Sequence, residues 1–243
     1  MEFKNIKQEV FELKDIKTLV ETLRVEVNED FAVCYDLEAH AQRLLGSILE
    51  LDFELAKGLE SENFTFFLLN QIKNKLQYEF NRQVAFTYSQ YDENLNLHRL
   101  SNGIYKLRII YQKNASLKIE LDQYNRDLSK DWKIKILTKD EFHIESLNRI
   151  WQHKFLPRPD FSYYLNQGFD EIIWGDENEN ICEASFTAIV YDNNKSPLAN
   201  TLPSVSISQI TGLKKLQCKK KDLKEIKLVN SLIGVALASE VKQ

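Results

Sequence analysis

Two residues in the second half of the chain could perform carbonyl chemistry together. Lys154, in His153-Lys154-Phe-Leu-Pro-Arg158, carries an amine among Ile150, Trp151, Phe155 and Leu156. Apolar neighbours disfavour the charged ammonium and make the free amine available as a nucleophile toward an aldehyde. Glu183 follows the Asp170-Glu171-Ile-Ile-Trp stretch. In one continuous strand from 181 to 190, Glu183, Ser185 and Thr187 share a polar face. Cys182, Ala184, Phe186, Ala188 and Val190 form an apolar one. A polar row of that kind lines a cleft or faces solvent, and a lysine among aromatics is also what a snorkelling surface residue looks like. The residues alone leave both pairs of readings open.

An amine and a semi-buried carboxylate are the two protein groups that pyridoxal phosphate (PLP) chemistry most needs. One forms a Schiff base with the aldehyde and the other keeps the pyridine nitrogen protonated. The phosphate needs its own grip. Arg43 could supply a fork of charge-assisted donors. Ile210-Thr211 could supply backbone amides and a hydroxyl if they open a helix. Ser231, in Val-Asn230-Ser231-Leu, could add a second hydroxyl.

These groups need a scaffold, and composition bounds it. The chain has 243 residues, 43% hydrophobic and 28% charged, enough for a sizeable core in one large domain or two small ones. A net charge of -4 gives no reason to expect nucleic acid or an anionic membrane as partner. Cys34, Cys182 and Cys218 are an odd number with no CxxC spacing, which fits a reducing cytoplasm. His40, His98, His143 and His153 lack metal-ligand spacing, so no metal site is expected. Seven glycines form no GxGxxG or GxxxxGK[ST] phosphate cradle. The N-terminus lacks the apolar stretch of a signal peptide, and no apolar run is long enough to span a bilayer. Lys214 to Lys227 carries seven lysines without interleaved aromatics, and reads as a solvated face.

Along the chain, Thr18–Val25 and Phe31–Tyr35 read as a hairpin around Asn28-Glu-Asp30. Asp36 is placed to cap a helix running to about Leu51, with Leu37, Ala41, Leu44, Leu45, Ile48 and Leu51 as its apolar stripe. His40 and Arg43 lie on one border of that stripe. A second amphipathic helix spans Asn63–Phe80. Strands follow at Ile104–Tyr111, Ser116–Gln123 and Lys133–Leu137. Helical signal returns at Ser162–Gln167, and strands resume at Asp170–Trp174 and Ile181–Tyr191 around an acidic turn. The domain boundary is expected within 112–125, dividing an αβ half at 1–115 from a larger αβ half at 116–243.

In this order the pieces resemble the class IV aminotransferases, PLP enzymes of fold type IV. That family includes branched-chain and D-amino acid aminotransferases and 4-amino-4-deoxychorismate lyase. Glu21-Thr-Leu-Arg24 looks like its N-terminal strand, and His40-Ala-Gln-Arg43-Leu is similar to its His-x-x-Arg-Leu helix. Lys154-x-x-x-Arg158, Asp170-Glu171, Glu183-Ala-Ser, Ile210-Thr211 and Asn230-Ser231-Leu resemble later motifs. The resemblance implies a two-domain α/β (α+β) fold of the D-amino acid aminotransferase type. It implies PLP held by Arg43, Lys154, Glu183, Ile210, Thr211 and Ser231, with Lys154 catalytic. It also implies a homodimer with the active site between the two domains.

The chain departs from the pattern in places. Gln209-Ile-Thr-Gly212 replaces the glycine and arginine of the phosphate loop, Ala188 stands where asparagine is common, and the part after Thr211 looks shortened. Leu147-Asn-Arg149 offers a second register, which would put Glu145 at the lysine position; spacing to Asp170 and Glu183 favours Lys154.

The short chain and its Asn-Ser-Leu segment point, through the resemblance, to a lyase. It would convert 4-amino-4-deoxychorismate to 4-aminobenzoate and pyruvate, a step of folate synthesis. An amino acid aminotransferase is the alternative, with Arg24, Arg108 or Lys113 binding the substrate carboxylate. A catalytically degenerate binding protein is the second alternative, kept open by the altered phosphate loop.

Overall fold

The computed structural model describes residues 12–90, 103–125, 130–145, 148–192, 194–198 and 201–240. His98, Leu147 and the N-terminal stretch lie outside them. In chain order the first elements are β1 (Thr18–Val27), β2 (Phe31–Tyr35), α1 (Leu37–Glu50), α2 (Phe64–Phe80), β3 (Gln83–Thr87), β4 (Ile104–Gln112) and β5 (Leu117–Gln123). Next come β6 (Trp132–Ile136), β7 (His143–Ile144), β8 (Phe155–Leu156), α3 (Ser162–Leu165), β9 (Glu171–Asp176), β10 (Ile181–Ala184) and β11 (Ala188–Val190). The last are β12 (Lys195–Pro197), α4 (Val205–Ser208), β13 (Lys214–Leu216), β14 (Lys227–Asn230) and β15 (Gly234–Glu240). Mixed sheets with helices answer the α/β expectation. None of the described helices is long and apolar enough to cross a membrane.

The described residues form two compact units. The N-terminal one holds the described residues of 13–125 and takes back 153–157; the C-terminal one holds Glu12 and the described residues of 130–152 and 158–240. This differs from the division expected at 115/116, because β5 pairs antiparallel with β4 from Tyr105↔Gln123 to Tyr111↔Leu117. It also differs because β8 adds to β1 through Thr18↔Leu156 and Leu19↔Phe155. Strand pairing over such distances is invisible to composition.

In the N-terminal unit the sheet order is β3-β2-β1-β4-β5, with β8 also on β1. β1 is central, paired along its length with β4 and with β2 in the expected hairpin. Asn28 shapes that turn, its Oδ1 accepting from the amides of Asp30 (2.9 Å) and Phe31 (2.7 Å). α1 buries Leu37, Ala41, Leu44 and Ile48, while Leu45 is half-buried. α2 buries Phe64, Leu68, Ile72 and Leu76, a strict four-residue row. Asp36 does occupy the N-cap position of α1, but in a left-handed conformation (φ 55°) and without capping. Its carboxylate instead accepts from the Ser89 amide (2.7 Å) and the Ser89 hydroxyl. β3 is not expected from sequence; it is held by parallel pairing with β2.

In the C-terminal unit the order is β10-β9-β6-β15-β14-β11, with β7 also on β9. β9 is buried throughout. Trp174 stacks on Phe161 (5.0 Å, 22°) and meets Phe142 edge-on (5.8 Å, 88°). The helix expected over Ser162–Gln167 is the single turn α3. The continuous strand expected from 181 to 191 is broken: β10 ends at Ala184 and β11 starts at Ala188, with a register shift between Ile181 and Glu183. The alternation fails with it. Phe186 is 41% exposed, whereas Thr187 is buried. The cause is a buried carboxylate, described below.

The turn between β9 and β10 constrains Gly175. A Cβ there would lie 2.5 Å from the Asn180 carbonyl oxygen, and Asp176 anchors the same turn through the Asn178 and Asn180 amides, both at 2.9 Å. Gly175→Ala should therefore destabilise the protein by about 1–3 kcal/mol. Urea unfolding should show a lower midpoint at unchanged m-value.

Candidate active site

In the N-terminal unit the candidate Arg43 is held by a carboxylate, Glu21, that the sequence presents only as part of a strand. Glu21 shares a face of β1 with Leu19 and Leu23, both fully buried. That inward parity was the available signal: a charge on the core-facing positions of a strand must meet a partner. α1 provides it. Arg43 Nε donates to Glu21 Oε1 at 2.8 Å and Nη2 to Oε2 at 2.5 Å. His40 Nδ1 lies 2.8 Å from Oε2, and Arg43 Nη2 lies 3.4 Å from His40 Nδ1. Residues 40 and 43 lie one turn apart on the helix, so both reach the same strand position.

The electrostatics follow. Burial alone would raise the Glu21 carboxyl, but the Arg43 guanidinium and the His40 hydrogen bond outweigh it and hold the group well below the usual carboxylate range. Burial lowers His40; the Glu21 hydrogen bond and charge oppose the change, and the Arg43 and Lys154 charges reinforce it. His40 is thus a neutral imidazole that donates to Glu21.

Lys154 belongs to the same unit. It immediately precedes β8, and its carbonyl accepts from the Val20 amide at 2.8 Å, which sets it across from the residue before Glu21. The side chain is half-buried and its charge is felt at His40. Two candidates from distant segments, Arg43 and Lys154, therefore act on one histidine. His153, the preceding residue, is buried with Nδ1 3.0 Å from Ser47 Oγ of α1.

The three candidates for a substrate carboxylate are engaged within this unit. Arg24 is fully buried and donates through Nε to Glu26. Arg108 pairs with Glu120 across β4–β5 at 2.6 Å. The Lys113 ammonium lies over the Phe53 ring, 5.9 Å from its centroid.

In the C-terminal unit, Glu183 faces Arg158, with Oε1 3.7 Å from Nη1 and both side chains little exposed. That separation is electrostatic rather than a hydrogen bond. The segment after Glu183 is shaped by Glu171, which is fully buried. Glu171 Oε1 accepts from the amides of Ile172 (2.8 Å) and Ser185 (2.9 Å) and from the Ser185 hydroxyl. Oε2 accepts from the Phe186 amide (3.3 Å) and the Thr187 hydroxyl (2.8 Å). The hydroxyls expected in a row beside Glu183 instead turn onto this carboxylate and end the strand. Asp170 ties β9 to its neighbourhood through Lys130 Nζ (2.8 Å) and the Lys133 amide (3.0 Å).

Ser231 is buried with its Oγ 3.1 Å from Ser206 Oγ, a partner the sequence does not suggest. Ile210 and Thr211 do not open a helix. They follow α4, whose N-cap is Ser204, accepting from the Ile207 amide at 3.2 Å. Ile210 is buried and Thr211 is exposed in the turn. Among the described residues no group of three or more His, Cys, Asp or Glu is placed to hold a metal ion.

Linkage has opposite signs at the two buried carboxylates. Glu21 is depressed, so its contribution is present above its usual value near 4.5 and is lost as pH falls toward its folded value. Glu171 is pushed up to about 7 by burial, against the pull of its Ser185, Thr187 and amide donors. It contributes stability below pH 4.5 that is lost as pH rises through 7. Across that window wild type should lose on the order of 3 kcal/mol relative to Glu171→Gln, which cannot titrate there. Paired urea titrations from about pH 4.5 to about pH 8 check it; a constant difference between the two proteins would contradict the assignment.

No protein-family model matches the sequence, and no curated protein matches it significantly. Solved structures do match the chain. A Mesorhizobium loti protein described as an amino-acid aminotransferase superposes with a TM-score of 0.69 at 20% identity, over 92% of this chain and 99% of its own. A Legionella pneumophila protein described as a 4-amino-4-deoxychorismate lyase gives 0.65 at 15% identity, over 97% and 89%. The T.th. branched-chain amino acid aminotransferase, solved with pyridoxamine 5'-phosphate, gives 0.62 at 12% identity, over 92% and 76%. These matches establish that the chain has the fold shared by the class IV aminotransferases and 4-amino-4-deoxychorismate lyases.

Proposed function

We propose that the chain is a PLP-dependent enzyme acting on a small amine, with Lys154 as its catalytic residue. The observation that carries this reading is that one unit holds Arg43, paired with Glu21 beside His40, and Lys154, bonded through its carbonyl to the Val20 amide next to Glu21. By residue chemistry each unit offers groups suited to PLP: the N-terminal one an amine for the aldehyde at Lys154 and a guanidinium for the phosphate at Arg43, the C-terminal one a carboxylate for the ring nitrogen at Glu183 and a buried hydroxyl at Ser231.

When bound, PLP would supply an aldehyde for the substrate amine and an electron sink for the amine-bearing carbon. The protein's own work is distinct. Arg43 binds the phosphate by charge-assisted hydrogen bonds. Glu183 holds a proton at the pyridine nitrogen. Lys154 Nζ takes the proton from the amine-bearing carbon.

For the reaction itself we favour the lyase, 4-amino-4-deoxychorismate to 4-aminobenzoate and pyruvate. The Legionella neighbour, at 97% coverage of this chain, supports it. Transamination is the second reading, supported by the Mesorhizobium neighbour, almost all of whose length is covered.

The purified protein should take up PLP with a visible absorbance band, and borohydride should fix the cofactor on the peptide containing Lys154. Lys154→Ala should lose both signals. Glu183→Gln should bind PLP but turn over about 100-fold more slowly. Pyruvate release from 4-amino-4-deoxychorismate identifies the lyase, and accumulation of pyridoxamine phosphate with amino donors identifies the aminotransferase. A protein that remains colourless with added PLP would sink both enzyme readings.

A further inference from the structure

We propose that Glu21 is a positioning residue for the phosphate group: it fixes the plane of the Arg43 guanidinium and so determines which edge is presented to the anion. The proposal rests on the PLP reading above.

The geometry is specific. Glu21 takes the Nε and Nη2 edge of Arg43 with both carboxylate oxygens. A guanidinium is planar, so holding one edge sets the direction of the other. Glu21 is itself packed into the core. It is 1% exposed, and its strand is registered against β4 from Thr18↔Gln112 to Glu26↔Ile104. His40 holds Oε2 from the preceding helical turn, and Lys154 is locked across from Val20 by its carbonyl. The guanidinium and the reactive amine are thus referred to the same two strand residues.

The arrangement has a cost that makes the proposal testable. A carboxylate against Arg43 cancels much of its charge, and neutral His40 restores none. An anion recognised here is therefore held by the direction of the N–H groups more than by net charge. Lysine at position 43 would retain the charge but could not be clamped at both oxygens. A purely structural link between α1 and β1 would not distinguish a phosphorylated ligand from its dephosphorylated form.

The test uses the full chain titrated with PLP and with pyridoxal, which lacks the phosphate. Binding is followed by absorbance and by borohydride trapping at Lys154. Wild type is expected to prefer PLP by at least about 10-fold, the worth of one charge-assisted bidentate contact. Arg43→Lys and Glu21→Gln are each expected to lose that preference while pyridoxal affinity is unchanged. A folded Glu21→Gln protein with the wild-type preference overturns the proposal. So does an Arg43→Lys protein that keeps it, and this arm decides alone if Glu21→Gln does not fold, because position 43 is at the margin of the core (12% side-chain exposure). Equal trapping of both aldehydes by wild type overturns the role of Glu21 while leaving the PLP reading intact. Trapping of neither overturns both.

Discussion

A carboxylate buried in the central strand of a sheet is tenable only with its charge met at close range, and the N-terminal unit is organised by that requirement. Glu21 stands on the core face of β1, between Leu19 and Leu23. Its two oxygens require α1 to present His40 and Arg43 toward the sheet, which sets the rotation of the helix about its axis. Leu44 and Ile48 then fall on the core side of the same turns. Removing one partner from such a group leaves an uncompensated buried charge, the most expensive defect a core can carry. The interaction therefore makes α1, β1 and, through Lys154 opposite Val20, β8 a single mechanical unit.

The C-terminal unit solves a related problem by different means. Glu171 is as buried as Glu21, but none of its described hydrogen-bond partners is a cation. It is met by three amides and two hydroxyls, whose pull does not offset burial, so its carboxyl is pushed up rather than down. Most of the donors come from the segment directly after Glu183, so satisfying Glu171 ends β10 at Ala184 and turns Ser185 and Thr187 inward. One carboxylate is solvated by a helix and the other by a broken strand. In both cases the polar group determines the local path of the backbone, because leaving it unpaired costs more than interrupting regular structure.

α1, α2 and the strands β1, β2, β4, β5, β6 and β9 were legible because their signals are local. α2 shows its four-residue apolar row directly in Phe64, Leu68, Ile72 and Leu76, and the β1–β2 hairpin is announced by Asn28. Elements built on distant pairing were not. β3 and β15 have modest strand propensity and exist because β2, β6 and β14 offer them edges. β8 is two residues long and pairs with a strand begun far upstream. Asp36 was legible as a helix start but not in its bonding, since its partner Ser89 lies beyond two intervening helices.

Residue type and order were enough to expect the fold, and they are the basis on which Arg43, Lys154, Glu183 and Ser231 are proposed for the site. Chemistry of that sort is written in side-chain identity, which folding does not alter. What the tertiary structure alone decided is whom each group meets. It gave Arg43 to Glu21, Arg24 to Glu26, Ser231 to Ser206 and Arg158 to Glu183, and it placed Thr211 in an exposed turn rather than at a helix start. The physical reason is burial. Once water is excluded, every polar group must be satisfied by whatever the fold brings within a few ångströms, and the linear order of residues carries no record of those distances.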